Sequence, residues 1–148
     1  MHCKPGKGGC SIYDTRPELC RRFMCFWLAL DYLDEKWKPT TAKLLVYLGD
    51  NTHRVAIHVD PAFPNNWRRE PYYSQIRAWG VSCADIQCQV VVYIKDRAIA
   101  ILPDKEVDLG HVGARDHIIF GRLDGEWRAS VKREHEVPLE DRGKRIVR

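Results

Sequence analysis

The sequence predicts an α+β domain built on a mainly antiparallel sheet of hairpins, with two helices and a cysteine-rich loop in front. Short apolar runs occur in pairs joined by turn residues, which indicates hairpins, and the clearest turn is Asp124-Gly125. Two other stretches carry apolar residues at helical spacing. With 148 residues, 45% of them hydrophobic and 30% charged, the chain suffices for one domain with a buried core.

The first helix is predicted to begin near Pro17 and to continue to about Leu33. Thr15 can cap its first free N–H groups, and Glu18 lies three residues later, as in a capping box. Proline is favoured in the first turn of a helix, so Pro17 fits this start, and Pro39 forbids an indefinite continuation. One apolar stripe follows at spacings of four and three residues: Leu19, Phe23, Phe26, Leu30 and Leu33.

The rest of the body is predicted to contain six strands and one further helix. The strands form three hairpins, at 43–48 with 54–59, 89–94 with 98–102, and 117–123 with 126–131. Tyr72, Ile76 and Trp79 recur at helical spacing, and Gly80 is expected to end that helix. We expect a single domain over 1–132, with a cysteine cluster at 3–27 packed on an α+β body at 40–132. A charged tail without structure is expected at 133–148.

Composition excludes several classes of protein. The longest apolar stretch, 23–30, has eight residues, whereas a helix that spans a bilayer needs about 20. The first residues contain no signal-peptide core, so we expect a cytoplasmic protein without a membrane partner. The net charge of +4 arises from interspersed acidic and basic residues, which argues against nucleic acid as a partner. The chain also contains no Gly-x-Gly-x-x-Gly, P-loop or Gly-x-Ser-x-Gly motif.

Four cysteines lie close together near the start of the chain: Cys3, Cys10, Cys20 and Cys25. In a reducing cytosol such a cluster more often binds a metal or does redox chemistry than forms disulfides. Four thiolates suit zinc or an iron–sulfur cluster, and the spacing by itself does not choose between them. The surrounding basic residues either stabilise bound thiolates or form an ordinary solvated face: Lys4, Lys7, Arg16, Arg21 and Arg22.

Residues 9–28, GCSIYDTRPELCRRFMCFWL, contain a cysteine, an aromatic residue, an Arg-Pro pair, a Cys-Arg pair and a final cysteine in this order. This string resembles the second half of the signature of the YkgJ-like CxxCxxCC family, whose members are proposed to chelate zinc or iron. The resemblance implies metal binding by the cysteines, and segments 59–61, 67–73 and 101–109 show a weaker likeness to longer members. The family's Cys-x-x-Cys-x-x-Cys-Cys run lies upstream of this string, whereas only Cys3 precedes Cys10 here. Either the four thiols suffice, or the chain is a shortened member, or a late start has been assigned.

Helix geometry limits how these cysteines can act together. At about 100° per residue, Cys20 and Cys25 would lie roughly 140° apart around a regular helix, too far apart for one ion. Either the helix is distorted and both bind one ion, or Cys25 is a small buried residue. Cys83 and Cys88 form a separate pair that we expect to be partly buried without a function, with a local disulfide or a second metal site as the alternative.

Two further groups of residues are candidates for a site. His58 and Asp60 are expected on the same side of a strand end, where they would hold a metal or transfer a proton, although such pairs are common by chance. Trp67-Arg68-Arg69 and Tyr72-Tyr73 interleave aromatic and basic residues, as surfaces that stack on single-stranded nucleic acid do. We favour the interpretation that the aromatic residues face the core and the arginines are solvated.

The sequence therefore predicts a metal-binding protein in which zinc or an iron–sulfur cluster, held by the four clustered cysteines, supports the fold or a redox role. One alternative is a protein-interaction subunit with a degenerate metal site, whose aromatic surface or basic tail docks a protein partner. Another is a metal-dependent enzyme such as a protein-modifying enzyme, because some members of the family are associated with protein methylation. The sequence contains no catalytic constellation that supports the enzyme.

Overall fold

The computed structural model describes residues 11–49 and 53–136, and these ranges contain four helices and seven strands. The helices are α1 (Glu18–Arg22), α2 (Phe26–Ala29), α3 (Pro39–Ala42) and α4 (Tyr72–Asp85). The strands are β1 (Leu44–Leu48), β2 (Arg54–Val59), β3 (Gln89–Ile94), β4 (Arg97–Ile101), β5 (Glu106–His111), β6 (His117–Leu123) and β7 (Glu126–Lys132). The predicted turn residues 50–52 and residues 137–148 of the predicted tail at 133–148 lie outside the described residues. Within that tail, Glu134–Glu136 form a short 3₁₀ helix.

Strands β1 to β5 form one sheet in the order β1-β2-β3-β4-β5, and β6 and β7 form a separate hairpin. Neighbouring strands are antiparallel except for β2 and β3, which run parallel. A parallel pair needs a long crossover connection, and α4 lies in the segment that joins these two strands. The predicted α+β class with a mainly antiparallel sheet is confirmed.

The two faces of the large sheet are covered by different elements. Alternate side chains of β1 to β4 join Trp67, Ile76 and Trp79 in the main hydrophobic core, which places α4 on that face. On the opposite face, Val91 and Ala98 pack with Ile118 of the β6–β7 hairpin. We call the first the helix face and the second the hairpin face.

The predicted single helix at the cysteine cluster is wrong, because three non-helical residues separate α1 from α2. Phe23 contacts Tyr47 on the hairpin face, with ring centroids 5.3 Å apart. Phe26 contacts Trp79 on the helix face, with ring centroids 5.5 Å apart. The chain therefore passes around the β1 edge of the sheet between these two side chains. A straight helix cannot place residues three positions apart on opposite faces of a sheet, so the helix is interrupted here.

Gly80 does not end α4, which continues to Asp85. The glycine is buried, and an added Cβ would lie 2.8 Å from Cγ2 of Ile101 and 3.3 Å from the carbonyl oxygen of the same residue. The missing side chain therefore allows α4 to approach β4 closely. The predicted end of the helix is wrong because this glycine has a packing role.

Strand β5 is absent from the prediction, although Glu106-Val107-Asp108-Leu109 alternates polar and apolar residues as a strand does. Contacts with neighbouring elements hold it in place. Asp108 accepts a hydrogen bond from Nε of Arg97 on β4 at 3.1 Å, and Glu106 pairs with Arg68 near α4 at 2.7 Å. The segment forms the edge strand of the large sheet, beside β4.

Candidate metal centre

The structure describes two of the four predicted metal ligands. Cys20 is exposed on α1, whereas Cys25 is buried with 5% of its surface exposed. Cys3 and Cys10 lie outside the described residues, as do the predicted neighbours Lys4 and Lys7. Within residues 11–49 and 53–136, no three His, Cys, Asp or Glu side chains come together in a way that could hold a metal ion. Any site with four thiolates therefore depends on the two N-terminal cysteines.

The interruption between α1 and α2 changes the relation between Cys20 and Cys25. Cys25 is the N-cap residue of α2, with extended backbone angles of φ −82° and ψ 159°. Its carbonyl oxygen accepts from the N–H groups of Leu28 at 3.0 Å and Ala29 at 3.1 Å. The two cysteines are therefore not held at the angle that one continuous helix would impose. The distortion that shared ligation requires is present.

Cys25 is buried, as expected if it were only a small residue in the fold, but it belongs to neither hydrophobic cluster formed by the described residues. It lies where the chain rounds the β1 edge, between the contact of Phe23 with Tyr47 and that of Phe26 with Trp79. These aromatic contacts fix the backbone on both sides of the thiol. The burial of Cys25 fits a small residue that only packs in the fold, and it equally fits a metal ligand that is shielded from water.

Two arginines of the cluster bind backbone carbonyls of the turn that precedes α1. Nη1 of Arg16 donates to the carbonyl of Tyr13 at 2.7 Å. The guanidinium carbon of Arg16 lies 3.7 Å from the centroid of the Tyr13 ring, in a cation–π contact. Nη2 of Arg21 donates to the carbonyl of Asp14 at 2.9 Å, and its Nε donates to the carbonyl of Arg16 at 3.1 Å. The Arg-Pro and Cys-Arg pairs of the motif therefore shape the segment that leads from Cys10 to Cys20.

The third arginine, Arg22, has a different partner. Its Nε forms a salt bridge with Oε1 of Glu18 at 2.9 Å along the exposed surface of α1. An exposed pair of this kind contributes little to stability. Of the two expectations for the basic residues, the solvated face fits Arg22, whereas Arg16 and Arg21 organise the turn.

His58 and Asp60 line one open cleft of about 410 Å³ at the end of β2, together with Lys43. The imidazole of His58 lies between the rings of Tyr47 and Tyr93, with centroids 5.6 Å and 4.9 Å away. Its Nε2 is 3.1 Å from the hydroxyl of Tyr47. Burial by these rings lowers the pKa of His58 below its ordinary value, so the ring is neutral at pH 7.

Asp60 is engaged in the loop that follows β2. Its Oδ1 accepts the N–H of Ala62 at 2.9 Å, and its own N–H donates to the carbonyl of Lys43 at 2.9 Å. These contacts close the turn after β2. His58 and Asp60 line the same cleft, as expected for residues on the same side of a strand end. In the structure, His58 is stacked between two tyrosine rings and Asp60 closes the turn after β2.

The aromatic residues of the 67–73 segment face the interior, as the favoured interpretation predicts. Trp67 is 1% exposed and Tyr72 is 8% exposed, whereas Arg68 is exposed. Nη2 of Arg68 and the hydroxyl of Tyr73 each donate to a carboxylate oxygen of Glu106 at 2.7 Å. Two segments that the sequence shows far apart, 67–73 and 101–109, are therefore joined. Because the rings of Trp67 and Tyr72 are buried, they are not available to stack on nucleic-acid bases.

Cys83 lies in α4 and Cys88 directly precedes β3. Both are free thiols; Cys88 is buried and Cys83 is partly buried. The expected partial burial of the pair is confirmed.

In the part of the chain that the structure describes, no helix combines the length and the apolar character needed to cross a bilayer. Comparison of the chain with protein-family models, with curated proteins and with solved structures finds no match.

Proposed function

We propose that this chain is a cytoplasmic metal-binding protein whose Cys3, Cys10, Cys20 and Cys25 thiolates hold zinc or an iron–sulfur cluster. The observation that carries the proposal is the interruption of the helix at Cys25, within a string that resembles the YkgJ-like CxxCxxCC signature. A continuous helix would have excluded shared ligation by the last two cysteines. The interruption removes this obstacle.

The contacts of the arginines supply a second line of support. Arg16 and Arg21 hold the turn at residues 12–15 against the start of α1. A turn closed in this way returns the chain toward α1, which is what ligation by cysteines before and after the turn requires. The metal would then tie the N-terminal segment to the sheet edge where Cys25 lies, and its binding free energy would contribute to folding.

The test is a metal analysis of the full-length protein purified without oxygen. We expect a constant amount of metal per chain by elemental analysis. Zinc with a featureless visible spectrum would indicate a structural site. Iron with acid-labile sulfide and charge-transfer absorption would indicate an iron–sulfur cluster and a redox role. A protein that folds and contains no metal would contradict the proposal.

Single substitutions then assign the ligands. Cys20→Ser and Cys25→Ala are each expected to lose most of the bound metal, because a four-thiolate site does not survive the loss of one ligand unchanged. Cys83→Ser is the matched control and is expected to retain the metal, since Cys83 lies in α4 outside the cluster. If Cys25 is only a buried filler, Cys25→Ala will keep the full metal content.

One observation favours the protein-interaction subunit as a second candidate. Large apolar side chains are exposed around α2: Phe23 at 51%, Met24 at 59%, Leu28 at 65% and Tyr32 at 62%. A protein partner would cover such a surface. Normal folding of the variant with Cys→Ser at positions 3, 10, 20 and 25, combined with no metal in the wild type, would favour this candidate over the metal site.

A further inference from the structure

The end of α4 and the start of β3 are joined by a hydrogen-bond pattern that brings two cysteines together. Gln87 has a left-handed backbone conformation with φ 55°. The N–H of Cys88 donates to the carbonyl of Cys83 at 2.8 Å, and the N–H of Gln87 donates to that of Ala84 at 3.2 Å. These features define a Schellman motif, in which the side chains of the first and last residues commonly pack together. Here both of those residues are cysteines.

The surroundings of the two thiols keep them in this arrangement. Cys88 is 8% exposed and belongs to the main hydrophobic core, against which Cys83 also packs. The Cys88 thiol donates to the carbonyl of Gln89 at 3.9 Å. Burial and the neighbouring Cys88 raise the pKa of Cys83 to about 12, so this thiol is protonated at neutral pH. The backbone hydrogen bond between Cys88 and Cys83 and their packing in one core therefore keep the two cysteines close together before any reaction begins.

We propose that Cys83 and Cys88 are a thiol-modification site that closes to an intramolecular disulfide by exchange with a low-molecular-weight disulfide such as oxidised glutathione. One cysteine thiolate attacks a sulfur of oxidised glutathione, which gives a mixed disulfide and releases one reduced glutathione. The second cysteine attacks the protein sulfur of that mixed disulfide, which forms the internal bond and releases another reduced glutathione. The two cysteines lose two electrons, oxidised glutathione gains them, and the two cysteine protons end on the released thiols.

Two features favour the internal disulfide over a lasting glutathione adduct. The backbones at positions 83 and 88 are already joined by a hydrogen bond of 2.8 Å, so the two cysteines start close together in space. A bulky adduct on Cys88 would have to displace core side chains, because this residue is almost fully buried. The internal bond removes the adduct. Neither cysteine is among the four proposed metal ligands, so this site is independent of the metal.

The experiment uses the full-length protein at a series of ratios of oxidised to reduced glutathione. Free thiols are then blocked with iodoacetamide, and the protein is digested with trypsin. Cleavage after Arg77 and Lys95 places both cysteines on the peptide 78–95. As the ratio rises, we expect the doubly alkylated peptide to be replaced by an unalkylated one that is lighter than the reduced peptide by two hydrogen atoms. The exchange should be faster at higher pH, because the thiolate is the attacking species.

A matched variant moves one thiol out of the motif. Ser82→Cys combined with Cys83→Ser keeps the number of thiols and places one of them at an exposed position of α4. This variant is expected to show glutathione adducts in place of the internal disulfide. The proposal is overturned if the wild-type peptide stays alkylated or carries glutathione at every ratio. It is also overturned if the relocated thiol closes the bond as readily as the native one.

Discussion

Replacing Gly80 by alanine tests whether the close approach of α4 to β4 determines the stability of the domain. In an exposed helix this change stabilises by about 1 kcal/mol, because alanine has the higher helix propensity. At position 80 the new Cβ would lie 2.8 Å from Cγ2 of Ile101, 3.3 Å from its carbonyl oxygen and 3.6 Å from that of Leu102. The Ile101 side chain can rotate away. Its carbonyl belongs to a paired strand and cannot move alone.

The magnitude follows from these opposing effects. Adding a methyl group to a filled core costs about 1–3 kcal/mol, and a backbone carbonyl at this distance places the site in the upper part of that range. After the gain in helix propensity, we expect Gly80→Ala to lower the free energy of unfolding by about 1–2 kcal/mol. This corresponds to a roughly 5- to 30-fold smaller ratio of folded to unfolded protein.

Urea unfolding of the protein and of the variant measures this change. Gly121→Ala is the matched control, because an added Cβ at this position on β6 meets no atom within 4 Å. The control is expected to leave stability unchanged or raise it by about 0.5–1 kcal/mol. If Gly80→Ala is as stable as the wild type or more so, the packing role assigned to Gly80 is wrong.

Two further predictions concern ionisable groups. Glu106→Gln is expected to lower the free energy of unfolding by about 1–2 kcal/mol at pH 7, because Glu106 accepts hydrogen bonds from Arg68 and Tyr73. Burial opposes the charged form of Glu106, but these hydrogen bonds outweigh it and hold the pKa below the ordinary 4.5. Wild-type stability should therefore fall as the pH drops below 4.5, with a smaller fall in the variant, and identical pH profiles in urea titrations would contradict this. For His58, burial lowers the pKa below 6.5, so its contribution to stability should be present above pH 6.5 and lost as the pH falls through the folded pKa. An NMR titration of its ring protons that gives a midpoint at or above 6.5 would disprove this.

The hairpins were predictable because their signals are local. Asp124-Gly125 adopts positive φ at both positions, as the turn type requires, and joins β6 to β7. The predicted ranges of the six strands lie within one residue of the observed ones at each end. β5 was missed although its residues alternate between polar and apolar, which is a local strand signal. The contacts of its carboxylates with Arg97 and Arg68 are not visible in the sequence.

For the candidate sites, too, the sequence shows the residue types, whereas the contacts between them depend on the tertiary structure. The residue types at Cys20, Cys25, Cys83 and Cys88 are visible in the sequence, and they are sufficient to raise the question of thiol chemistry. The proximity of Cys83 and Cys88 depends on the left-handed conformation of Gln87, and glutamine is not a residue type that predicts this conformation. The relative position of Cys20 and Cys25 depends on the point at which the chain passes around the β1 edge of the sheet.

By itself, the sequence determined the α+β class, the positions of three hairpins and the choice of buried aromatic residues, because turn residues and apolar periodicity act over a few neighbouring positions. Only the tertiary structure decided that the first helix is interrupted, that Gly80 packs instead of ending α4, and that Glu106 joins two distant segments. These outcomes depend on contacts between residues far apart in the chain. Phe23 and Phe26 fall on one stripe in the sequence, yet the edge of the sheet places them on opposite faces.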